Sequence, residues 1–275
     1  MFKIYDLNMK EIPFPDGVIP LEIFVGSVGK DRYTDKAEGR GGVVDYGFDY
    51  TDRPVSLFLR IKAADAADFR LLRNEVFATF DVGSAFYVAE SDVPSRVLKV
   101  VVDESYIPDR LTEEYADFDI NCRTLDSVFW ETKYTTLELH DSGYSATAEK
   151  YGLVDNIDDE KVKYRFTESN FTVYNAGNVT VEPESMMLNI IVNAVQSSNN
   201  FTIRNKTSGE EIILKRESKG SHFIIQGMVI SLGSITNIFR DTNRRFISLA
   251  PGDNEFEILN GTFEEIRFEF KFLYK

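Results

Sequence analysis

Residues 246–259 read FISLAPGDNEFEIL, and this stretch indicates the architecture of the C-terminal part of the chain. Two short runs rich in apolar residues flank the tetrapeptide Pro-Gly-Asp-Asn. Proline fixes its own φ angle and glycine tolerates positive φ, so the tetrapeptide favours a tight turn. Neither run carries a residue suited to catalysis. The stretch therefore predicts two strands joined by a turn, in a region that serves as a surface.

The same β pattern extends upstream to residue 166. Short apolar runs recur about every 8–12 residues, which is typical of a sandwich or barrel. The segment NKTSGEE, residues 205–211, joins two alternating runs and predicts a hairpin. The chain ends in RFEFKFLYK, where charged residues alternate with a row of aromatic residues that would share one strand face: Phe268, Phe270, Phe272 and Tyr274.

One segment of the N-terminal half has helical periodicity. In residues 62–80, KAADAADFRLLRNEVFATF, Asp65 is suited to cap a helix and Asp68 follows three residues later, as in a capping box. Gly83 is the expected stop. Apolar residues recur at helical spacing and form one stripe: Phe69, Leu72, Val76 and Phe80. The segment predicts one helix packed on a sheet.

The remaining N-terminal half predicts strands and one long loop. Residues 27–42, SVGKDRYTDKAEGRGG, predict a polar loop long enough to reach a partner. Residues 43–50 and 55–62, VVDYGFDY and VSLFLRIK, predict a pair of strands joined by residues 51–54. From residue 131 to 165 the composition turns polar and acidic, which indicates a domain junction.

Composition excludes several classes of protein. The 275 residues include 43% hydrophobic and 28% charged side chains, a globular balance, and the 22 Phe and 13 Tyr favour sheet. The net charge of −14 disfavours specific nucleic-acid binding, which uses basic patches. One cysteine, Cys122, rules out an internal disulfide. Without a signal peptide or an apolar span, we expect a soluble protein made in a cytosol, with no membrane partner.

Candidate catalytic and metal-binding residues are few. His140 and His222 lack zinc-ligand spacing, and Cys122 falls on the apolar face of a predicted strand, where a thiol is inert. Asp117 and Asp119 share a strand face, as the paired acids of a glycosidase do, but the pattern favours the solvated strand face of an acidic protein. A calcium site is conceivable at one acidic cluster, but the cluster lacks EF-hand spacing: Asp155, Asp158, Asp159 and Glu160. We therefore expect no enzyme activity, no catalytic residue, no metal and no cofactor.

Several segments together resemble the distal tail (Dit) proteins of long-tailed siphophages. The resemblance rests on the order of five stretches between about residues 35 and 261: EGRGGVVDYGFDYTDRPVSLFLRIKA, DAADFRLLRNEVFATF, FYVAESDVPSRVLKVVVD, FTVYNAGNVTVEPESMMLNIIV and LAPGDNEFEIL. It implies a mainly β fold with a ring-forming N-terminal β-sandwich domain, containing one helix, and a C-terminal galectin-like β-sandwich. The expected domains are 1–135, completed by a returning strand at 264–275, a junction at 136–165, and the galectin-like domain at 166–263.

The resemblance also implies a function. Members of the family form a hexameric ring at the distal end of the tail, which joins the major tail tube protein to the tail-associated lysin or fibre hub and can anchor receptor-binding proteins. DNA passes through the lumen, and an acidic chain suits that passage. The expected location is the virion tail tip, after assembly in the bacterial cytoplasm. Two alternatives stay open. One is a galectin-like carbohydrate-binding module, which would normally show an exposed tryptophan on a sheet face, whereas the only tryptophan, Trp130, precedes the C-terminal sandwich. The other is a hydrolase using Asp117 and Asp119.

Overall fold

The computed structural model describes residues 1–36, 38–39, 41–142, 157–235 and 237–275. It divides the chain into two compact units. The first unit consists of Met1–Trp130 with Lys275, and the second of Glu131–Tyr274. Strands dominate both units, so the predicted mainly β fold class is confirmed.

The first unit is built on an antiparallel sheet. Its strands follow the order β2-β1-β7-β8-β10-β6-β3, with β9 beside β10. Alternating residues of the strands point into the core, as the period of a strand requires. The elements of this unit are β1 Phe2–Tyr5, β2 Glu11–Ile12, β3 Val18–Val25, β4 Gly29–Asp35, β5 Val44–Thr51, β6 Pro54–Lys62, α1 Ala66–Thr79, β7 Ala85–Glu90, β8 Arg96–Val102, β9 Asp109–Arg110 and β10 Tyr115–Thr124.

The helix α1 confirms the predicted helix. The carboxylate of Asp65 accepts hydrogen bonds from the backbone N–H groups of Ala67 and Asp68, each at 2.8 Å, and so caps the first turn. Three residues of the predicted stripe are buried side chains of the helix: Phe69, Leu72 and Val76. Burying each contributes roughly 1.5–3 kcal/mol, so the stripe rather than intrinsic propensity holds the helix on the sheet.

The pairing predicted for β5 and β6 is wrong, although both strands exist. β6 lies between β3 and β10, and its alternate residues Val55, Leu57 and Leu59 are buried. β5 pairs with β4 in a separate two-stranded sheet. The central residues of β5 are exposed on both faces, so this strand contributes no buried row to the core sheet.

The second unit is a β-sandwich. One sheet has the order β12-β20-β14-β17-β18 and the other β13-β19-β15-β16. Aromatic side chains join the two sheets: Phe256 and Phe268 lie with ring centroids 4.8 Å apart, and Phe201 and Phe223 6.3 Å apart. The elements are β11 Trp130–Thr132 at the start, α2 at residues 136–142, a 3-10 turn Asp159–Lys161, β12 Arg165–Phe166, β13 Asn170–Asn175, β14 Leu188–Ser197, β15 Phe201–Asn205, β16 Glu210–Leu214, β17 Ser218–Gln226, β18 Val229–Leu232, a 3-10 turn Phe239–Asp241, β19 Gly252–Leu259, β20 Glu265–Phe270 and β21 Leu273–Tyr274.

The predicted hairpin at NKTSGEE is confirmed, whereas the opening stretch differs from its prediction. β15 and β16 pair across residues 205–210. In the stretch FISLAPGDNEFEIL only the second run is a strand, β19, while the first has a single bridge from Leu249 to Val181. A side chain supplies the hydrogen bonds that a strand partner would otherwise make. The Asn254 amide accepts a hydrogen bond from the Ala250 N–H and donates one to the Ala250 carbonyl oxygen.

The C-terminal segment 264–275 keeps the predicted alternation, with Ile266, Phe268 and Phe270 buried. Over Glu265–Phe270 the segment predicted to return to the first domain pairs with β14 of the second unit. The reason is that its aromatic row fills the space between the two sheets of the sandwich.

Candidate functional site: an exposed two-faced hairpin

β4 and β5 form a hairpin that stands apart from the sheet of the first unit. Among the described strands they pair with each other and with no other strand. The segment 27–42, predicted as a loop, is therefore a strand over Gly29–Asp35, because β5 supplies hydrogen-bond partners for its backbone. We call residues 29–51 the arm hairpin. An isolated two-stranded hairpin is marginally stable in water, so its base must be anchored.

A buried arginine anchors that base. Arg53, 7% exposed, follows the arm hairpin directly. Its guanidinium donates to the carbonyl oxygen of Gly26, on the other side of the hairpin, and to that of Val128 at 3.3 Å. Burial lowers the pKa of Arg53 below its ordinary value. The Gly26 N–H also donates to the Pro54 carbonyl at 2.9 Å, so the two chain ends at the base are tied together.

Two further contacts involve the first residue pairs at the base of the arm hairpin. Gly29 lies opposite Thr51, and a Cβ atom added at Gly29 would come within 2.1 Å of the Thr51 hydroxyl oxygen. A larger residue at this position would therefore require the Thr51 hydroxyl to rotate away. Tyr50 packs edge-on against the buried Phe129 of the same unit, with ring centroids 5.0 Å apart.

One face of the arm hairpin combines cations with aromatic rings. Lys30 pairs across from Tyr50 and Arg32 from Phe48, so these four side chains share a face. The Lys30 ammonium lies 3.9 Å from the centroid of the Phe48 ring, a cation–π contact. The two rings meet edge to face at 5.4 Å and remain exposed, Phe48 by 37% and Tyr50 by 41%. We call these four residues the basic-aromatic face.

The opposite face is acidic. Asp31 pairs directly across from Asp49, and the Tyr33 hydroxyl donates to Asp49 at 2.7 Å. The hydrogen bond to Asp49 and the nearby carboxylates raise the pKa of Tyr33. Like charges directly opposite in a ladder are destabilising, and no described side chain forms a salt bridge with either aspartate. We call Asp31, Asp49 and Tyr33 the acidic face.

The aspartates singled out by the sequence do not form a catalytic pair. Asp117 accepts two hydrogen bonds from Arg60, both at 2.7 Å, and this guanidinium lowers the pKa of Asp117. A carboxylate held ionised in this way is a poor proton donor. Asp119 is exposed and lies opposite Phe58. The structure thus gives Asp117 a structural partner and leaves Asp119 on a solvated face.

The histidines and the cysteine have ordinary structural contacts. His140 contacts the Val162 carbonyl at 3.3 Å, and His222 contacts the Asn193 side chain at 3.0 Å. Burial raises the pKa of the Cys122 thiol to about 12, so it is protonated at neutral pH. Asp155 lies outside the described residues, and within the part of the chain that is described no three metal-ligating side chains cluster.

Trp130 is 9% exposed and belongs to the first unit, so it does not give the sandwich of the second unit the exposed tryptophan expected of a sugar site. A pocket of about 420 Å³ beside β13 in the second unit is lined partly by aromatic rings. Protein groups contact these rings on one side: Lys161 lies 4.8 Å over Tyr174, and Phe166 stacks on Phe171 at 4.3 Å. Across the described ranges no helix is long and apolar enough to cross a membrane.

Sequence reasoning missed the residues that build the arm hairpin. Arg53 resembles any loop arginine in the sequence, and its buried contacts join positions far apart in the chain, such as Val128. One feature of the sequence indicates the two faces: aromatic and acidic residues alternate in DYGFDY at residues 45–50.

Comparisons with known proteins bear on the first unit and on the whole fold. Residues 8–122, which include the entire arm hairpin, match the family model of the phage tail protein RIFT-related domain. The Dit protein of phage SPP1, described as a paradigm of the hub adsorption apparatus in phages that infect Gram-positive bacteria, is similar in structure. The similarity has a TM-score of 0.68 and 12% identity, and it covers 99% of this chain and 100% of that protein.

A second solved structure, the baseplate of phage p2 in its activated conformation with strontium, gives a TM-score of 0.42 at 10% identity over 98% of this chain and 97% of that one. No curated protein sequence matches this chain. The resemblance is therefore confirmed at two levels: residues 8–122 match a phage tail domain in sequence, and the fold is similar to that of a Dit protein over the full length.

Proposed function

We propose that this chain, whose residues 8–122 match the family model of the phage tail protein RIFT-related domain, is a structural protein of a siphophage tail tip. Six copies form a ring, the distal tail hub. The ring joins the major tail tube protein to the tail-associated lysin or fibre hub, and it offers a place to anchor receptor-binding proteins. The match of the first unit to a phage tail domain is the observation that carries this proposal.

The arm hairpin supports an assembly role. An exposed hairpin with partly exposed aromatic rings is typical of a contact surface. Its base is anchored by Arg53, so the arm is positioned before any partner binds. A positioned surface loses less conformational entropy on association than a disordered one. The arm hairpin also lies inside the range that matches the phage tail domain.

The charge of the chain supports a passage for DNA. The net charge of −14 repels phosphate, so a lumen built from such chains lets the genome pass without binding it. In this proposal the chain is not an enzyme and needs no cofactor. It resides in the virion at the tail tip, after assembly in the host cytoplasm.

Immunogold labelling of virions tests the location. Antibodies against the purified chain are applied to particles of the phage that encodes it, with antibodies against the tail tube protein as the matched control. We expect the label at the distal tail end, beyond the tube label. Label along the tube, on the capsid or nowhere on the particle contradicts the proposal.

The galectin-like carbohydrate-binding alternative rests on the sandwich of the second unit alone. Fold likeness does not establish sugar binding, and Trp130 is buried and belongs to the first unit rather than to the sandwich. A glycan array with the full chain distinguishes the two functions, because saturable binding of a defined saccharide would favour the module.

A further inference from the structure

The second unit carries a concentrated positive patch, although the chain as a whole has a net charge of −14. Segment 239–246 lies beside the end of β16, where the Lys215 N–H donates to the Asp241 carbonyl oxygen at 2.7 Å. This contact brings the arginines of the segment next to the cations that follow β16. We call five exposed residues the cationic cluster: Lys215, Arg216, Arg240, Arg244 and Arg245.

Side-chain contacts hold the loop that presents the arginines. The Thr242 hydroxyl donates to the Phe239 carbonyl oxygen at 2.8 Å and accepts from the Arg244 N–H at 3.0 Å. The rings of Phe239 and Phe246 stack with centroids 5.5 Å apart and close the loop. The Asn243 side chain bonds backbone groups of β16 at 2.8 and 3.1 Å. The cluster therefore projects from a fixed loop, which loses less conformational entropy on binding than a disordered one.

Most of the cationic cluster has no ionic partner within the described chain. Arg216 pairs with Asp241 at 3.2 Å, while Glu217 pairs with Lys219 instead. Across the described ranges no carboxylate lies within salt-bridge distance of Lys215 or of the three arginines in the loop. The chain has 45 acidic residues, so this local excess of positive charge arises despite an overall excess of carboxylates. Negative charge supplied from outside the chain would be attracted to this surface.

We propose that the cationic cluster docks a short acidic segment of a partner protein. This inference goes beyond the proposed ring and does not depend on it. A guanidinium group offers parallel N–H donors that match the two oxygens of a carboxylate, so an arginine-rich cluster favours aspartate and glutamate side chains. Phe239 and Phe246 are half-buried and leave apolar surface beside the cations. Aliphatic side chains of the docked segment pack on these rings.

The extent of the cluster favours a short acidic segment over a long polyanion. Charges more than about 8 Å apart are largely screened at physiological salt, so carboxylates placed on the cluster interact mainly with its cations. A nucleic-acid strand would run beyond the cluster onto a surface with excess acidic residues, since the chain has 45 acidic against 31 basic ones. The phosphates beyond the cluster would be repelled there.

Fluorescence anisotropy with the full chain tests the docking. The probe is a labelled octapeptide in which glutamates and aspartates alternate with leucines. A matched peptide with glutamine and asparagine in their place keeps the shape and removes the charge. Variant C carries Arg244→Gln and Arg245→Gln, and the control variant carries Lys163→Gln and Lys206→Gln at exposed positions elsewhere in the second unit. Circular dichroism and the urea midpoint establish that both variants are folded.

We expect the acidic peptide to bind the wild type and the control variant equally. Variant C should bind it about tenfold more weakly, because two ion pairs of the kind found at protein surfaces are lost. The uncharged peptide should not bind. Added salt should weaken binding to the wild type more steeply than binding to variant C, because fewer charge contacts remain to be screened in the variant. A single-stranded DNA oligonucleotide should bind the wild type more weakly than the acidic peptide does.

Four outcomes overturn the proposal. Equal binding to variant C and the wild type would mean that the peptide binds elsewhere on the chain. No binding at millimolar peptide would mean that the cluster is an ordinary solvated surface. Tighter binding of the oligonucleotide, lost in variant C, would assign the cluster to nucleic acid. A wild-type multimer in native mass spectrometry that variant C alone loses would assign it to a second copy. None of these outcomes decides the tail-tip role, which the immunogold labelling tests separately.

Discussion

Replacing Asn254 by alanine is expected to destabilise the second unit, because this side chain is the hub of the segment before β19. Asn254 is fully buried. Its Oδ1 atom accepts from the Ala250 N–H at 2.9 Å, and its Nδ2 atom donates to the carbonyl oxygens of Ala250 at 2.8 Å and Gly252 at 3.1 Å. Asn205 donates to the same Oδ1 atom at 3.3 Å.

The expected decrease in the free energy of unfolding depends on which backbone groups the substitution leaves without a hydrogen-bond partner. Three close hydrogen bonds are lost, and each contributes roughly 1 kcal/mol net, with more where the abandoned group stays out of reach of water. Ala250 and Gly252 are half-buried, so water reaches part of the gap. Asn205 retains its bond to the Ser248 carbonyl at 3.0 Å. We therefore expect a loss of about 3 kcal/mol.

Hydrogen–deuterium exchange of the full chain measures this loss where it occurs. A loss of about 3 kcal/mol corresponds to roughly 100-fold faster exchange of the protected amides in β19 and β13. The control is Asn170→Ala, an exposed position on β13 that should change stability by less than about 0.5 kcal/mol. Equal exchange in the two variants would refute the view that Asn254 holds the segment in place of a strand.

Three further predictions concern the first unit. Arg53→Met should leave the core sheet folded but make amides within Gly29–Asp35 exchange faster, because the bond to the Gly26 carbonyl at the base of the arm is lost; unchanged exchange there contradicts the anchoring role. Arg60 lowers the pKa of Asp117, so the ionised Asp117 stabilises the fold above its unfolded pKa of about 3.9, and this stabilisation is lost as the pH falls through the lower folded pKa. Asp117→Asn should therefore lower the free energy of unfolding at neutral pH by less than about 1 kcal/mol, because the pair is partly exposed. Acid unfolding of the variant and the wild type should show this difference disappearing at low pH. Cys122, buried and with its pKa raised to about 12, should react with a disulfide reagent at neutral pH in denaturant and hardly at all in the native state; rapid native reaction would show that the strand opens.

Local signals predicted the elements whose partners lie close in sequence. The helix α1 was predictable because its cap at Asp65 and its stripe from Phe69 to Val76 fall within a few turns. The β15–β16 hairpin was predictable because its turn residues lie between two alternating runs. In both elements, the residues that specify the structure lie within the element itself.

The arm hairpin was not predictable, because alternation does not reveal what covers a strand face. DYGFDY in β5 alternates like a half-buried strand, yet its aromatic residues are exposed. VSLFLRIK in β6 alternates in the same way and lies at the centre of a sheet. Arg53 lies between the two strands, and its buried contacts with the carbonyl oxygens of Gly26 and Val128 join positions far apart in the chain, which alternation does not reveal.

The strand predicted before β19 is absent for a related reason. Its apolar residues Ile247 and Leu249 are buried as a strand would bury them. Apart from the Leu249–Val181 bridge, the backbone of the segment bonds to side chains, those of Asn205, Glu210 and Asn254. An asparagine that replaces a strand partner looks in the sequence like any turn asparagine.

The mass of the assembled chain tests the central claim most directly. Native mass spectrometry of the full chain is compared with a variant whose arm residues 31–48 are replaced by a short glycine-serine turn, and with a control altered at the exposed turn 206–209. We predict a species near six times 31.4 kDa for the wild type and the control, and a monomer for the variant without the arm. A six-copy species that survives removal of the arm, or a wild type that never exceeds one copy, would contradict the account.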